Sequence, residues 1–275
     1  MNRFESQLST AEPAFTELLQ RVPLQQGSPL PPDWLRCEVL ERYQVLRHAA
    51  LAPGSTILEV GSGSHAITTM PLAFSVGQDG RVVAAERSRW TRFLEIIRAC
   101  ELEDQVRLVK CDARHLPLHD NSVDLAVCVH GIRSLESEEN MVHVFHEMLR
   151  VAPRVFLAES LPIAKSDAQR AHLTMYNLRE EVFRATTGRP DDLHYLPLES
   201  LTRVVERAGG VVESAETLDV DLPHALAYFP RTMVETLPDA PVREGLLRRW
   251  DEATALCERH GTDHPPVGMI TARRS

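Results

Sequence analysis

Short apolar runs alternate along the chain with longer segments in which apolar residues recur every three to four positions. We predict strands at the runs and helices at the segments between them. The predicted strands are 57–60, 81–86, 105–110, 123–129 and 154–159, and the predicted helices are 65–75, 88–102 and 137–149. This alternation is typical of a doubly wound, mainly parallel sheet with helices on both faces. Right-handed crossovers would bring the carboxyl ends of the strands to one edge.

The flanking segments have patterns of their own. Residues 1–51 form predicted helices interrupted by prolines, with Asp33 as the N-cap of a helix through residue 48. We interpret 1–51 as a helical lead-in or lid and 52–275 as the core. Long helical insertions at about 161–197 and 223–261 are predicted lids over a substrate site. Helix 198–208 and strands 211–220 and 267–273 complete the predicted elements.

The first predicted strand ends in a glycine-rich turn. Glu59 lies inside the strand, and Gly61, Ser62 and Gly63 follow it. Glycine lets the backbone approach a ligand closely, and a helix beginning just afterwards would point free N–H groups at that ligand. We therefore predict a nucleotide-binding turn.

Acidic residues recur where the next strands end. Glu86, followed by Arg87, closes the second strand, and Asp112, followed by Ala113, comes after the third. An acid at the tip of the second strand is where a Rossmann-like fold binds ribose hydroxyls. These residues would meet the glycine turn at the same sheet edge.

The order of these elements resembles that of the class I S-adenosylmethionine-dependent methyltransferases. The resemblance implies a seven-stranded Rossmann-like sheet with an antiparallel end and S-adenosylmethionine as cofactor. It places Glu59, Gly61, Ser62 and Gly63 at the methionine end, Glu86 and Arg87 at the ribose, and Asp112 and Ala113 at the adenine. Asp124 begins the fourth motif, away from the cofactor edge, where it more often holds the fold.

Residues 116–151 are similar to the ubiquinone/menaquinone C-methyltransferase family. Gly131 and Arg133 match a Phe-Gly-Leu-Arg-Asn type segment, whereas His130 replaces its aromatic residue and His65 replaces a glycine of the first motif. His130 is predicted to contact the cofactor and to act as a general base or orient the acceptor. A packed histidine without chemistry is the alternative.

Candidate substrate residues are Arg133, His172 and Tyr176. Arg133 would hold an anionic substrate group or form a salt bridge at a helix end. His172, Tyr176 and Arg179 share one helix face and would line an acceptor pocket, as would His194 and Tyr195. Ordinary packing is the alternative interpretation of that stripe.

Composition narrows the function classes. The formal charge of −9 argues against a nucleic-acid partner. The five cysteines form no C-x-x-C pair, which favours reduced core thiols, and no apolar run is long enough to span a bilayer. His260, Asp263 and His264 lie at a turn before a strand, and we expect no metal site there or elsewhere. A cytoplasmic location follows by elimination.

We therefore expect a methyltransferase that acts on a small molecule and is compatible with a homodimer. The acceptor atom is left open. One alternative is a non-catalytic protein that binds S-adenosylmethionine or S-adenosylhomocysteine. A second is an NAD-dependent oxidoreductase, which is disfavoured because the turn lacks the full G-x-G-x-x-G pattern.

Overall fold

A computed structural model describes residues 3–25, 31–88, 90–135, 137–187, 195–224 and 229–275. Its helices are α1 (Arg3–Leu8), α2 (Pro13–Arg21), α3 (Trp34–Leu46), α4 (Thr69–Val76), α5 (Trp90–Ala99), α6 (Glu138–Val151), α7 (Asp167–Thr187), α8 (Leu198–Arg207), α9 (Thr232–Glu235) and α10 (Ala240–His260). Its strands are β1 (Thr56–Val60), β2 (Arg81–Glu86), β3 (Val106–Lys110), β4 (Leu125–Val129), β5 (Arg154–Ser160), β6 (Gly210–Leu218) and β7 (Val267–Arg274).

The strands form one seven-stranded sheet in the order β3-β2-β1-β4-β5-β7-β6. The pairs from β3 to β5 are parallel, whereas β7 is antiparallel to both β5 and β6. All five residues of β4 are buried, as expected for a central strand covered on both faces. The predicted Rossmann-like α/β architecture is confirmed.

Helices cover both faces of the sheet. On one face Leu35, Met70 and Phe93 are buried against the β strands, and on the other Phe145 and Val205 pack beneath α6 and α8. The N-terminal helices share the first of these cores, because the Phe15 ring stacks on Tyr43 at a centroid distance of 3.8 Å. Their role as a lid stays a prediction.

The two insertions pack against each other. Buried residues of α7, α9 and α10 form a third apolar cluster, with Met175 and Leu178 of α7 against Leu246 and Ala253 of α10. The insertions therefore build a common cap beside the sheet.

Some element boundaries differ from the prediction. The helix expected from residue 65 begins at Thr69, because Ala66 has a positive φ of 51° that cannot continue a right-handed helix. Strand β4 begins at Leu125 and not at 123. Asp33 does precede α3, but its side chain makes no capping hydrogen bond. Pro29, 188–190 and His194 lie outside the described residues.

Two compositional expectations can be compared with the structure. All five cysteines are free thiols, and three of them are buried. Within the described residues, every helix is too short or too polar to cross a bilayer.

Candidate active site

A cavity of about 670 Å³ opens at the carboxyl ends of the parallel strands. It lies where β1 is flanked by β2 on one side and β4 on the other, which is the switch point at which open α/β sheets bind ligands. The wall includes Gly61, Ser62, Gly63, Glu86, Arg87, Asp112, Ala113 and Arg133. The structure thus brings most of the predicted cofactor residues together.

Glycines let two backbone segments meet at the cavity wall. Gly61 and Gly63 have positive φ angles of 78° and 66°, which only glycine adopts readily. A Cβ on Gly131 would lie 3.0 Å from Cys128 Sγ and 3.2 Å from the Val60 carbonyl oxygen. Larger side chains at these positions would fill the space beside the first turn.

Glu59 is buried under the same turn. Thr69 Oγ1 donates a 2.6 Å hydrogen bond to Glu59 Oε2, while Glu59 Oε1 and the hydroxyl of Ser62 have no protein partner. Burial raises the pKa of Glu59 to about 8, although the Thr69 hydrogen bond works against this shift. Of these two unpartnered atoms, the Ser62 hydroxyl belongs to a residue of the cavity wall, whereas Glu59 is not part of that wall.

Glu86 fixes the shape of the turn from the tip of β2. It accepts hydrogen bonds from the backbone N–H groups of Gly63, Arg87 and Ser88 at 2.9, 2.8 and 3.1 Å. A carboxylate offers about four lone-pair positions, so one remains for a ligand hydroxyl. Glu86 thereby connects the two halves of the cavity wall.

Asp112 is held by a residue that the sequence did not point to. Nε and Nη2 of Arg114 donate to its carboxylate at 3.0 and 2.5 Å, and the Arg114 backbone N–H adds a third bond. The Arg114 hydrogen bonds are the main reason that the pKa of Asp112 is lowered to about 2. The carboxylate is charged and fixed in direction beside Ala113.

Asp124 lies at the opposite end of the sheet. Its carboxylate accepts a 2.8 Å hydrogen bond from the backbone N–H of Thr56, which ties β4 to β1. The predicted structural role is confirmed.

Behind Gly131 lies a second polar region, which we call the inner polar cluster. Its members are Glu38, Glu41, Arg42, His130, Arg133, Glu159, His172, Tyr176, Tyr195, His224 and His264. Most of these side chains are buried, yet ionisable groups are rarely buried without partners. They come from α3 and α7, from the ends of β4 and β5, and from segments before α8, after β6 and before β7.

His130 lies between two acids in this cluster and not in the cavity wall. Its ring nitrogens lie 3.1 Å from Glu159 Oε1 and 3.2 Å from Glu41 Oε1. Burial lowers the pKa of His130 well below its ordinary value, with Arg42 and Arg133 adding to the effect. The ring is therefore neutral at pH 7, and its predicted contact with the cofactor stays a prediction.

Arg133 links the cluster to the cavity. It donates a 2.9 Å hydrogen bond to Glu159, and its guanidinium lies over the rings of Tyr176 and Tyr195 at 5.7 and 5.2 Å. Burial is the largest single influence and lowers the pKa of Arg133, but Glu159 together with Tyr195, Tyr176 and Glu180 raises it overall. The salt-bridge alternative is present, and a role in binding a substrate anion stays a prediction.

His172 and Tyr176 lie deeper, behind Arg133. His172 Nε2 is 3.2 Å from the Tyr195 hydroxyl, and the rings of Tyr176 and Tyr195 stack at 4.2 Å. Arg179 covers the other side of Tyr176 at 4.8 Å, so the predicted shared helix face is confirmed. Acceptor binding by this face remains untested.

Glu38, Glu41 and Arg42 of α3 were not predicted from the sequence as part of a site. All three are buried, and Arg42 forms ion pairs with both acids. The available signal was the pattern of α3, in which charged residues are interspersed with Leu35, Val39 and Val45 around the helix. A separate polar face, which a surface helix would have, is therefore missing. Such a pattern indicates a helix that is buried all round.

Comparison with known proteins agrees with this geometry. A family model described as a methyltransferase domain matches residues 58–154. The chain is 33% identical over 114 residues to the demethylmenaquinone methyltransferase of Bacillus cereus (strain B4264), and a Bacillus anthracis protein of the same name matches equally well. The match covers 40% of this chain and 45% of the relative, so the chain spans about half the length of the curated relatives it matches.

Solved structures extend the likeness in fold. A cyclopropane-fatty-acyl-phospholipid synthase-like protein from Lactobacillus casei superposes with a TM-score of 0.73 over 98% of this chain and 99% of that one, at 16% identity. A SAM-dependent methyltransferase from Aquifex aeolicus gives a TM-score of 0.50 at 20% identity, over 75% of this chain and 92% of its own. These identities speak for the fold alone.

Proposed function

We propose that the chain transfers a methyl group from S-adenosylmethionine to a small-molecule acceptor, because residues 58–154 match a methyltransferase-domain model. The observation that carries the proposal is the cavity at the switch point of the sheet, where glycines, Glu86 and Asp112 converge. Its volume lies within the range typical of small-molecule sites.

The polar groups in and beneath the cavity wall suit this cofactor. The unpartnered atoms of Glu59 and Ser62 suit the polar methionine end, and the remaining acceptor capacity of Glu86 suits ribose hydroxyls. Asp112 would accept from an amino group of the adenine beside Ala113. Arg87 lines the wall next to the ribose position.

When bound, the cofactor supplies a methyl group that is already activated by a positively charged sulfur. The protein must align the acceptor with that methyl group, exclude water and remove any proton that the acceptor loses. Arg133 is the cluster residue that reaches the cavity wall and would orient an anionic or hydroxylated acceptor.

We propose that His130 is the general base that accepts the proton lost by the acceptor. Its ring is neutral, and Glu41 and Glu159 on either side would stabilise the charge that it gains. A ring nitrogen of His130 would take up the proton that the acceptor loses, directly or through water. His172 and Tyr176 would lie farther from the reacting atoms, against the body of the acceptor.

Calorimetric titration tests the cofactor class. We expect S-adenosylmethionine and S-adenosylhomocysteine to bind, and Glu86→Ala and Asp112→Ala to weaken both by about 10- to 100-fold, the loss expected for one or two charge-assisted hydrogen bonds. Glu103→Ala, an exposed acid near β3, is the matched control and should bind like wild type. Binding of NAD alone, or of no nucleotide, would overturn the proposal.

An assay of methyl transfer distinguishes an enzyme from a protein that only binds the cofactor. The similarity to demethylmenaquinone methyltransferases suggests quinone precursors and phenols as the first acceptors in a panel. The expected result is that methyl transfer falls much more than cofactor affinity in His130→Gln. Cofactor binding without transfer across the panel would favour the non-catalytic alternative.

A further inference from the structure

Three members of the inner polar cluster point their ligating atoms toward one another. Glu38, His224 and His264 are all buried, and one carboxylate oxygen and two ring nitrogens from them lie within 4.8 Å of one another. They come from α3, from the segment after β6 and from the segment before β7. The sequence analysis considered His264 only together with His260, which lies exposed at the end of α10.

Backbone pairing fixes the two histidines. The His224 N–H donates to the Thr262 carbonyl at 2.9 Å, and the His264 N–H donates to the Leu222 carbonyl at 3.2 Å. An isolated antiparallel bridge between Pro223 and Asp263 lies between these bonds. The two imidazole rings consequently stack at a centroid distance of 3.9 Å without depending on their own side-chain hydrogen bonds.

The cluster leaves buried polar atoms without partners. His224 Nδ1 lies 2.6 Å from Glu38 Oε1, but neither ring nitrogen of His264 has a hydrogen bond, and Glu38 Oε2 has none either. Glu38 Oε2 lies 3.7 Å from Arg42 Nη2. Buried polar atoms in native proteins are satisfied in the great majority of cases, so a missing partner is expected here.

The charge of the region also calls for a cation. Within the described residues the cluster holds the carboxylates of Glu38, Glu41 and Glu159 against the guanidinium groups of Arg42 and Arg133. The surplus negative charge is balanced either by a proton or by a metal.

We propose that Glu38, His224 and His264 bind one divalent transition-metal ion of the zinc class. Two imidazole nitrogens and one carboxylate oxygen form a three-ligand set of the kind that binds zinc and leaves a position open for another ligand. With bonds of roughly 2.0–2.2 Å to one ion, His224 Nδ1 and Glu38 Oε1, which lie 2.6 Å apart, would have to separate. The two stacked imidazole rings would have to turn toward a common point, which side-chain rotations would provide. A pocket of about 250 Å³ reaches one of the three ligand residues, since Glu38 lies in its wall together with Arg3, Asp33, Trp34, Cys37 and Pro223.

The ion would join the N-terminal helices to the end of the sheet. Glu38, the proposed metal ligand on α3, lies one helical turn before Glu41, which contacts His130. Metal binding would therefore fix the helix that forms the far wall of the inner polar cluster. This inference does not depend on methyl transfer.

Zinc binding to the tag-free full-length chain is the test. After removal of metals with a chelator, zinc titration and elemental analysis should show one ion per chain and an increase in Tm. His264→Gln and Glu38→Gln should weaken zinc binding by at least about 10-fold, the loss typical of disturbing a metal ligand set. His260→Gln is the matched control and should bind zinc like wild type.

Cobalt(II) bound to the wild-type chain provides a measurement that needs no variant. We expect a visible absorption spectrum from nitrogen and oxygen ligands that disappears when zinc is added in equal amount. No stoichiometric zinc in the wild type, or equal zinc binding in folded His264→Gln, would overturn the proposal. In that case a proton balances the buried charge.

Discussion

The cavity at the switch point of the sheet and the inner polar cluster lie on either side of Gly131 and are built in opposite ways. The cavity uses residues that follow one strand after another, and its acids are held by nearby backbone N–H groups or by the neighbouring Arg114. The cluster uses side chains that are separated by up to 226 positions, from Glu38 to His264. Residues of the cavity can therefore be located by their position after a strand, whereas residues of the inner polar cluster cannot.

The two regions also differ in what stabilises them. Glu86 and Asp112 are partly exposed, so water can replace a lost contact. Glu41 and Arg42 are almost fully buried, and removing either would leave an uncompensated charge in the protein interior. Changes in the cavity should therefore act mainly on binding, and changes in the cluster mainly on folding.

Arg42→Met should have the largest effect on stability. It leaves Glu41 and Glu38 without their buried cation and should lower the free energy of unfolding by about 3–5 kcal/mol. Urea unfolding measures this loss. Arg21→Met is the matched control: its ion pair with Glu101 is exposed on both sides and should contribute at most about 1 kcal/mol. Equal losses in both variants would contradict the contrast between buried and exposed pairs.

Gly131→Ala tests the boundary between the two regions. The new methyl group would press on Cys128 and the Val60 carbonyl, at a cost of about 1–3 kcal/mol in stability from overpacking, and should weaken cofactor binding. Unfolding and cofactor titration are measured on the same preparations. Gly245→Ala, in α10 with open space around it, should be neutral or slightly stabilising. Unchanged cofactor affinity in Gly131→Ala would show that this wall is not part of the cofactor site.

The sequence revealed the two regions to different extents. Glu59, Glu86 and Asp112 could be found because each occupies a fixed place relative to a strand, and the alternation of strands and helices determined the sheet. Glu38 and His224 could not be found, since their proximity depends on how α3 packs against the segment that follows β6. Arg114 was missed for a smaller reason: its direction depends on the turn after β3, which the strand pattern does not describe.

Glu59 should make stability depend on pH. Its pKa is raised to about 8 in the folded protein, so the folded state binds a proton that the unfolded state loses near pH 4.5. Stability should therefore fall as pH rises from about 5 to 8, by at most about 1.4 kcal/mol per pH unit. Urea unfolding across this range measures the slope, which Glu59→Gln should reduce.

Glu17→Gln, which alters an exposed acid on α2, is the control for that slope and should keep the wild-type pH dependence. If Glu59→Gln and wild type lose stability in parallel, the proton is bound elsewhere. The inner polar cluster, with its buried Glu38 and Glu159, would then be the source of the pH dependence.

Tyr195→Phe should have the smallest effect and sharpens the contrast within the cluster. It removes the hydroxyl that contacts His172 while keeping the ring stack on Tyr176, so the loss should be about 0.5–1.5 kcal/mol, the net value of one buried hydrogen bond. Tyr43→Phe removes a bond to Glu12 that is only partly buried, and its cost should be smaller. If Tyr195→Phe were more stable than wild type, His172 would not satisfy the Tyr195 hydroxyl in a hydrogen bond. That result would favour a role of the Tyr195 hydroxyl in binding an acceptor.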